Sequence, residues 1–314
     1  MKDKDKIREH WQLKNDITRL GRNKWRSMTK EGSVTLGTAK KGDPYINSRL
    51  AFWQWLLKEG NLSTLSLRAG KNGSYSLSAS QGVYYAVNEN KSKTVDFGDR
   101  ETVKEIGAVL GKFHTLAEKF DWQSHCLPVK KPARYISRMD RLLAAADKAK
   151  GYRTSVWPEI INRSQGSMAL LCRGSLEKLT ANTLAEGAYT YGLIDRRGFS
   201  QTKAGIELRD ITAMAEEPGI LDIWRLCRQH LLYCSEPGAI DDIVRAYERE
   251  HALTTLERQC LYGFILFPYE ALKSMAKEGK SSETAKLLKW EEKRTEFYQD
   301  IYKKGKAAED ENSH

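Results

Sequence analysis

The apolar positions change period once along the chain, near residue 100. Before it they alternate or form short runs. Positions 24–28 and 33–38 read as strands of a hairpin turning at Glu31-Gly32, and 83–87 as a compact apolar strand. One helix interrupts them, with Leu50, Trp53, Leu56 and Leu57 as its stripe, Ser48 expected at its start and Gly60 at its end. Asn72-Gly73 signals a further hairpin turn. From Glu101 on, Val103, Ile106, Leu110, Phe113, Ala117 and Phe120 recur every three or four residues, as in an amphipathic helix. Helices are expected again over 220–234, 240–250, 256–277 and 283–304, with Pro268 dividing the third. Two apolar runs flanked by turn formers, 168–172 and 189–194, read as a β-hairpin or β-loop within this helical part. The expected organisation is a basic segment 1–23, a β-rich lobe 24–90 with one helix, a helical lobe 91–305 and a frayed polar tail 306–314.

Composition adds that the chain can build a core. Of its 314 residues 40% are hydrophobic and 10% aromatic, which excludes wholesale disorder. Charge is unevenly spread. The net is +11, and the first 60 residues hold 14 Lys/Arg against 7 Asp/Glu. Within 1–23, Ile7, Trp11 and Leu13 interrupt the basic residues. Two readings follow: an amphipathic helix that docks on an acidic protein, or a helix whose Trp11 packs on the β-rich lobe while its lysines face water. The charged first ten residues give no signal peptide, and the most apolar stretch, 260–267, is shorter than the roughly 20 residues of a membrane span. Five cysteines (Cys126, Cys172, Cys227, Cys234, Cys260) without CxxC or CxxH spacing support no zinc site and suit a reducing cytosol.

The order of the motifs resembles the aminoglycoside-phosphotransferase and choline-kinase superfamily, and more closely the CotS-type kinase-like proteins of bacterial spore coats, in their YutH-like branch. Leu110-Gly111-Lys112-Phe113-His114 matches the "LgkFH" helix. Cys172-Arg173-Gly174-Ser175 stands at the His-x-Asp catalytic loop, Asn182-Thr183-Leu184 at Asn-x-Leu, and Leu193-Ile194-Asp195 where a strand delivers the metal-binding Asp. Arg209-Asp210-Ile211 matches an "rDl" that starts the next helix, and Leu266-Phe267-Pro268 the late "L-F-P". The resemblance implies an α+β, two-lobed protein-kinase-like fold with a small β-rich N-lobe and a large helical C-lobe.

Set against phosphoryl transfer, the motifs are depleted. Gly37 stands where the third strand carries its phosphate-binding lysine, with Lys40 and Lys41 in reach only if the register slips. Ser175 replaces the catalytic Asp, and a serine hydroxyl is no base near neutral pH; Glu177 is a displaced substitute or a solvated loop residue. Arg196 and Arg197 follow Asp195 and oppose a divalent cation there. Asp210 reads as a helix cap that fastens its loop. Asp96-Phe97-Gly98 spells a kinase metal motif in the wrong place and belongs to the turn capping the 101 helix; His114 is a packed helix residue. The expectation is a catalytically inactive kinase-like protein, no catalytic or metal residues, no cofactor, and Asn182 and Asp195 as vestigial nucleotide and Mg positions. The resemblance implies a spore-coat structural or assembly component, made in the cytoplasm, deposited on the forespore, and partnered by other coat proteins rather than nucleic acid. The alternative is an ATP-dependent small-molecule phosphotransferase with displaced catalytic groups. A nucleic-acid binder lacks any recognisable module.

Overall fold

The computed structural model describes residues 3–312 apart from 22–23, 30–31, 41–42, 60–61, 90–91, 131–132, 149–155, 173–174, 211, 235–237 and 277–281. The chain divides into two compact units. One holds 1–96, 112–128 and 191–215; the other holds 97–111, 129–190 and 216–314.

The first unit is built on an antiparallel sheet. Helix α1 (Lys4–His10) leads into β1 (Ile17–Gly21), β2 (Lys24–Thr29) and β3 (Gly32–Lys40); α2 (Ile46–Glu59) follows, then β4 (Ser76–Ala79) and β5 (Gly82–Glu89). The sheet order is β1-β2-β3-β5-β4. Gly32, at φ +138°, opens β3 in a conformation that side chains avoid. Alternation splits the sheet into two faces. Val34, Leu36, Tyr84 and Ala86 form one core with Ile7, Trp11 and Leu13. Trp11 is buried and its indole N–H donates to the Arg68 carbonyl at 2.9 Å. The apolar residues of the basic N-terminal segment therefore pack on the sheet, which is the second of the two readings given above.

Several local expectations are corrected here. Ser48 lies inside α2 rather than at its start, and its hydroxyl accepts from the Cys126 N–H. Gly60 lies outside the described residues. The Asn72-Gly73 turn, with Gly73 at φ +78°, precedes β4, and the hairpin proper turns at Ser80-Gln81. The rest of this unit includes the two-residue β6 (Lys93–Thr94) and the end of α3 (Arg100–Lys119). Phe113 from that end, and Phe120 and Trp122 just beyond it, meet Phe52 of α2, ring to ring, at 5.2–5.6 Å between centroids.

The second unit is helical. Asp99 caps α3, its carboxylate accepting from the Thr102 N–H at 2.8 Å, directly after the turn at Phe97-Gly98. Then come α4 (Ala133–Lys148), α5 (Trp157–Cys172) and α6 (Ser175–Glu186). After β7 (Tyr189–Thr190), strands β8 (Phe199–Thr202) and β9 (Gly205–Leu208), which belong to the first unit, and β10 (Ala215–Glu216), the chain resumes as helices. These are α7 (Ile220–Tyr233), α8 (Ala239–Glu248), α9 (Thr255–Leu266), α10 (Tyr269–Met275), α11 (Ser282–Lys293) and α12 (Thr295–Glu311). Thr254 and Glu257 form a capping box at the start of α9, and Pro268 separates α9 from α10 as expected. The tail expected to fray is instead helical to Glu311, with Ala308 buried. No helix among the described residues is long and apolar enough to cross a membrane.

Candidate functional site

The stretch matched to the catalytic loop is bounded by two helices, with 173–174 outside the described residues. Residues 168–172, expected as a strand, close α5, and Ser175 opens α6. The reason is in the local pattern: Leu176, Leu179 and Thr183 recur at three and four residues and all three are buried, a helical stripe that outweighs the motif spacing. Ser175 is buried and its hydroxyl accepts from the Gln259 side chain at 2.8 Å. Glu177 and Asn182 are exposed on α6. Residues 191–194 form no strand, and Asp195 sits in the bend that follows them.

The β-hairpin of this region is β8–β9, further along. Sequence reasoning missed it because its buried positions include polar residues. Ser200 and Glu207 are both buried and bond to each other at 3.2 Å, so the apolar alternation is broken. Gly205, at φ +116°, makes the turn. The residue delivered just beyond β9 is Asp210, and among the described residues no helix starts there; the next one begins at Ile220.

Asp210 enters a cleft of about 200 Å³ on the second face of the sheet. The register explains that face. Lys24 of β2 pairs with Gly37 of β3, which pairs with Tyr85 of β5; one step along, Arg26 pairs with Thr35, which pairs with Val87. Cross-strand partners point to the same side, so Lys24, Gly37 and Tyr85 form one row. Gly37 has no side chain to give, and the Tyr85 ring occupies the space a Cβ would need. Lys24, one strand over, reaches Asp210: Nζ lies 3.3 Å from Oδ2. A lysine thus stands in the row that Gly37 vacates, supplied by β2. Lys40 ends β3, and Lys41 lies outside the described residues.

The other Asp210 contacts are donors. The Thr212 N–H and hydroxyl bond Oδ1 at 2.9 and 2.6 Å, and the Tyr85 hydroxyl lies 3.4 Å from both oxygens. Burial, reinforced by the Asp210 charge, pushes the Tyr85 phenol well above its ordinary value, which keeps it a donor. The Asp210 N–H points to the Tyr191 hydroxyl at 3.4 Å, and that hydroxyl donates to the Gly198 carbonyl, tying the 191–198 loop to the carboxylate's own backbone.

Around this pair the cleft is crowded with arginine. Glu89 takes hydrogen bonds from Ser33 and Thr35 and ion pairs with Arg26 and Arg209 at 2.9 and 3.3 Å. Burial alone would raise the Glu89 pKa, but these donors and cations outweigh it and hold it below the ordinary range. Asp195 is half-buried and clasped by Arg197 through both its backbone N–H and its guanidinium, at 2.5–3.2 Å. Burial again opposes ionisation, and the Arg197 bonds overcome it, so the Asp195 pKa is also lowered.

Magnesium fits this cleft poorly. Each Asp210 oxygen already faces a donor or a cation, and Asp195 is bound by Arg197. Among the described residues no three His, Cys, Asp or Glu side chains gather as a metal cluster. The residues fit an anion better: Lys24, Arg26, Arg196, Arg197 and Arg209 line the cleft, five cations against three carboxylates, Asp210, Glu89 and the Asp195 bound to Arg197.

No family model matches the chain, and no curated protein matches it. Solved structures do. The chain is similar to an aminoglycoside phosphotransferase from Alicyclobacillus acidocaldarius at 15% identity, with 96% of this chain and 95% of that one covered and a TM-score of 0.79. It is similar to an amicoumacin kinase, solved with AMP-PNP and Ca²⁺, at 14% identity, coverage 96% and 92%, TM-score 0.60. A spectinomycin phosphotransferase solved with ADP and spectinomycin aligns at 9% identity, coverage 98% and 98%, TM-score 0.57. The fold is therefore the two-lobed, kinase-like α+β fold of the aminoglycoside phosphotransferases. At these identities the likeness carries the fold and no more.

Proposed function

We propose that the protein is a kinase-fold protein that holds nucleotide phosphates on fixed cations and does not transfer them, working as a structural or assembly component of the spore coat. The observation that carries the inactive reading is the 191–198 loop. With β8–β9 as the hairpin that delivers Asp210, the His-x-Asp pattern falls on Tyr191-Gly192-Leu193 and Asn-x-Leu on Gly198-Phe199-Ser200. Leucine then stands at the base and glycine at the amide ligand. The loop's one carboxylate, Asp195, is neutralised by Arg197. On this reading Asp210 takes the metal-carboxylate position first given to Asp195, and Asn182 is a helix-surface residue. Loss of a positioned base alone typically costs 10²–10⁴-fold in rate, about 3–5 kcal/mol of barrier.

The spore-coat role rests on the sequence resemblance. A fluorescent fusion followed through sporulation in an endospore former is expected to gather around the forespore; a signal that stays diffuse in the mother cell contradicts it. For the cleft, ATP turnover above background that disappears in Asp210→Ala overturns the inactive reading.

A second reading, a small-molecule phosphotransferase with displaced groups, is favoured by one observation. Lys24 lies 3.3 Å from Asp210 on the cleft face, so a phosphate-binding cation and a metal-position carboxylate both remain. It still needs a base, and the loop supplies none that is unbound.

A further inference from the structure

A groove of about 450 Å³ runs through the helical unit between α5, α9 and α12, and no residue of the cleft described above contributes to it. Its floor is Arg163, whose side chain is only 2% exposed. Nη1 donates to Glu291 Oε2 at 2.7 Å, and the guanidinium carbon lies 3.9 Å from the centre of the Tyr298 ring. The opposite edge of the same guanidinium makes no hydrogen bond, although its Nε is ion-paired at long range with Glu159. Nε and Nη2 are buried and have no hydrogen-bond partner. The nearest carboxylate oxygen, Glu159 Oε1, is 3.7 Å from Nε, too far to accept.

Buried donors are almost always paired, and an unmet one asks for a partner. Two on one edge of an arginine make the fork that a carboxylate or phosphate engages with two parallel bonds. The walls add a place for an apolar body. Ala169 and Leu266 line one side, and Tyr302 stands at the rim. Gly166 keeps the groove open: a Cβ there would come within 3.1 Å of the Tyr302 ring and 3.2 Å of Leu266 Cδ2. Lys303 and Glu159 both line the groove, and Glu291 fixes the plane of the fork.

We infer that this groove binds a small organic anion, its carboxylate or phosphate on the Nε–Nη2 edge of Arg163 and its flat apolar part along Leu266 and Tyr302. The size suits it, since small-molecule pockets run from about 300 to 1,000 Å³.

The test titrates the full chain by calorimetry, with melting curves alongside, using 1-naphthoate, 1-naphthyl phosphate and neutral 1-naphthamide. At least one acid is expected to bind saturably and raise the melting temperature, with the amide about tenfold weaker or more, because charge-assisted pairs are roughly twice as strong as neutral ones. The two acids separate a carboxylate from a phosphate site. Arg163→Lys keeps a cation beside Glu291 but has no fork, and should lose about tenfold or more in affinity. Gly166→Leu leaves Arg163 in place, improves helix propensity and fills the groove, so it should fold and not bind; it decides the matter if Arg163→Lys is unstable. Absence of acid binding, equal binding of acid and amide, or wild-type affinity in Gly166→Leu overturns the proposal.

Discussion

Replacing Lys24 by methionine separates what this lysine does for the fold from what it does for a bound phosphate. Lys24 Nζ and Asp210 Oδ2 are 3.3 Å apart; the lysine side chain is 41% exposed and the aspartate 8%. Coulomb's law at an effective dielectric near 20 gives a direct attraction of about 5 kcal/mol. Most of that is offset. The lysine is half in water, and Asp210 keeps the Thr212 and Tyr85 donors when the cation is gone. Exposed and half-exposed pairs measure about 0–1 kcal/mol, so the folded state should lose about 1 kcal/mol, or roughly 2 °C in melting temperature for a chain of this size. A charge-assisted contact to a phosphate is worth about 1.5–3 kcal/mol, so nucleotide affinity should fall by about 10- to 150-fold. The assay is calorimetric titration with ADP in EDTA, with a melting curve of the same sample. Affinity unchanged within about twofold, in a protein whose melting temperature has barely moved, would falsify the assignment of Lys24 to the phosphates.

Three further outcomes are expected. Trp11→Ala empties a fully buried site and removes the indole donor to the Arg68 carbonyl, so it should cost about 3–5 kcal/mol in chemical denaturation; a cost below about 1 kcal/mol would mean the N-terminal segment is dispensable to the fold. Glu217 is fully buried among Arg134, Arg225, Tyr135 and Thr190, and Glu217→Ala should destabilise by about 2–4 kcal/mol because Arg134 loses its carboxylate, Arg225 keeps only Asp222, and two buried hydroxyls lose their acceptor; equal stability of mutant and wild type contradicts this. Glu89 has its pKa depressed in the folded state, so its contribution is present above its unfolded value near 4.5 and is lost as pH falls through the lower folded value. Melting temperature followed downward from pH 5 should therefore fall less steeply in Glu89→Gln than in the wild type, and parallel profiles would refute it.

The switch from alternating to helical spacing near residue 100 made the fold class legible, and the β2–β3 pairing, α3 and the break at Pro268 were all readable from apolar spacing and turn residues. Gly37 was expected at the place of a phosphate-binding lysine. That Lys24 lies in the same row was not legible, because the two share it only through the β2–β3 register, which no single strand displays. The catalytic region misled for a different reason. Cys172–Ser175 and Asn182 had the spelling of a motif, but Leu176, Leu179 and Thr183 had the period of a helix, and burial of that stripe decided the backbone. The real hairpin was hidden by Ser200 and Glu207, two polar residues that satisfy each other inside it. The Arg163 edge has no sequence signal at all, since an unmet donor is a property of what three helices leave unfilled.

The measurement that bears most directly on the account is ATP binding and turnover by the intact protein, run side by side in EDTA and in Mg²⁺. The cationic cleft predicts the same affinity in both and no release of phosphate above background in either. Binding that requires Mg²⁺, with turnover abolished by Asp210→Asn, would contradict it and make the protein a working phosphotransferase.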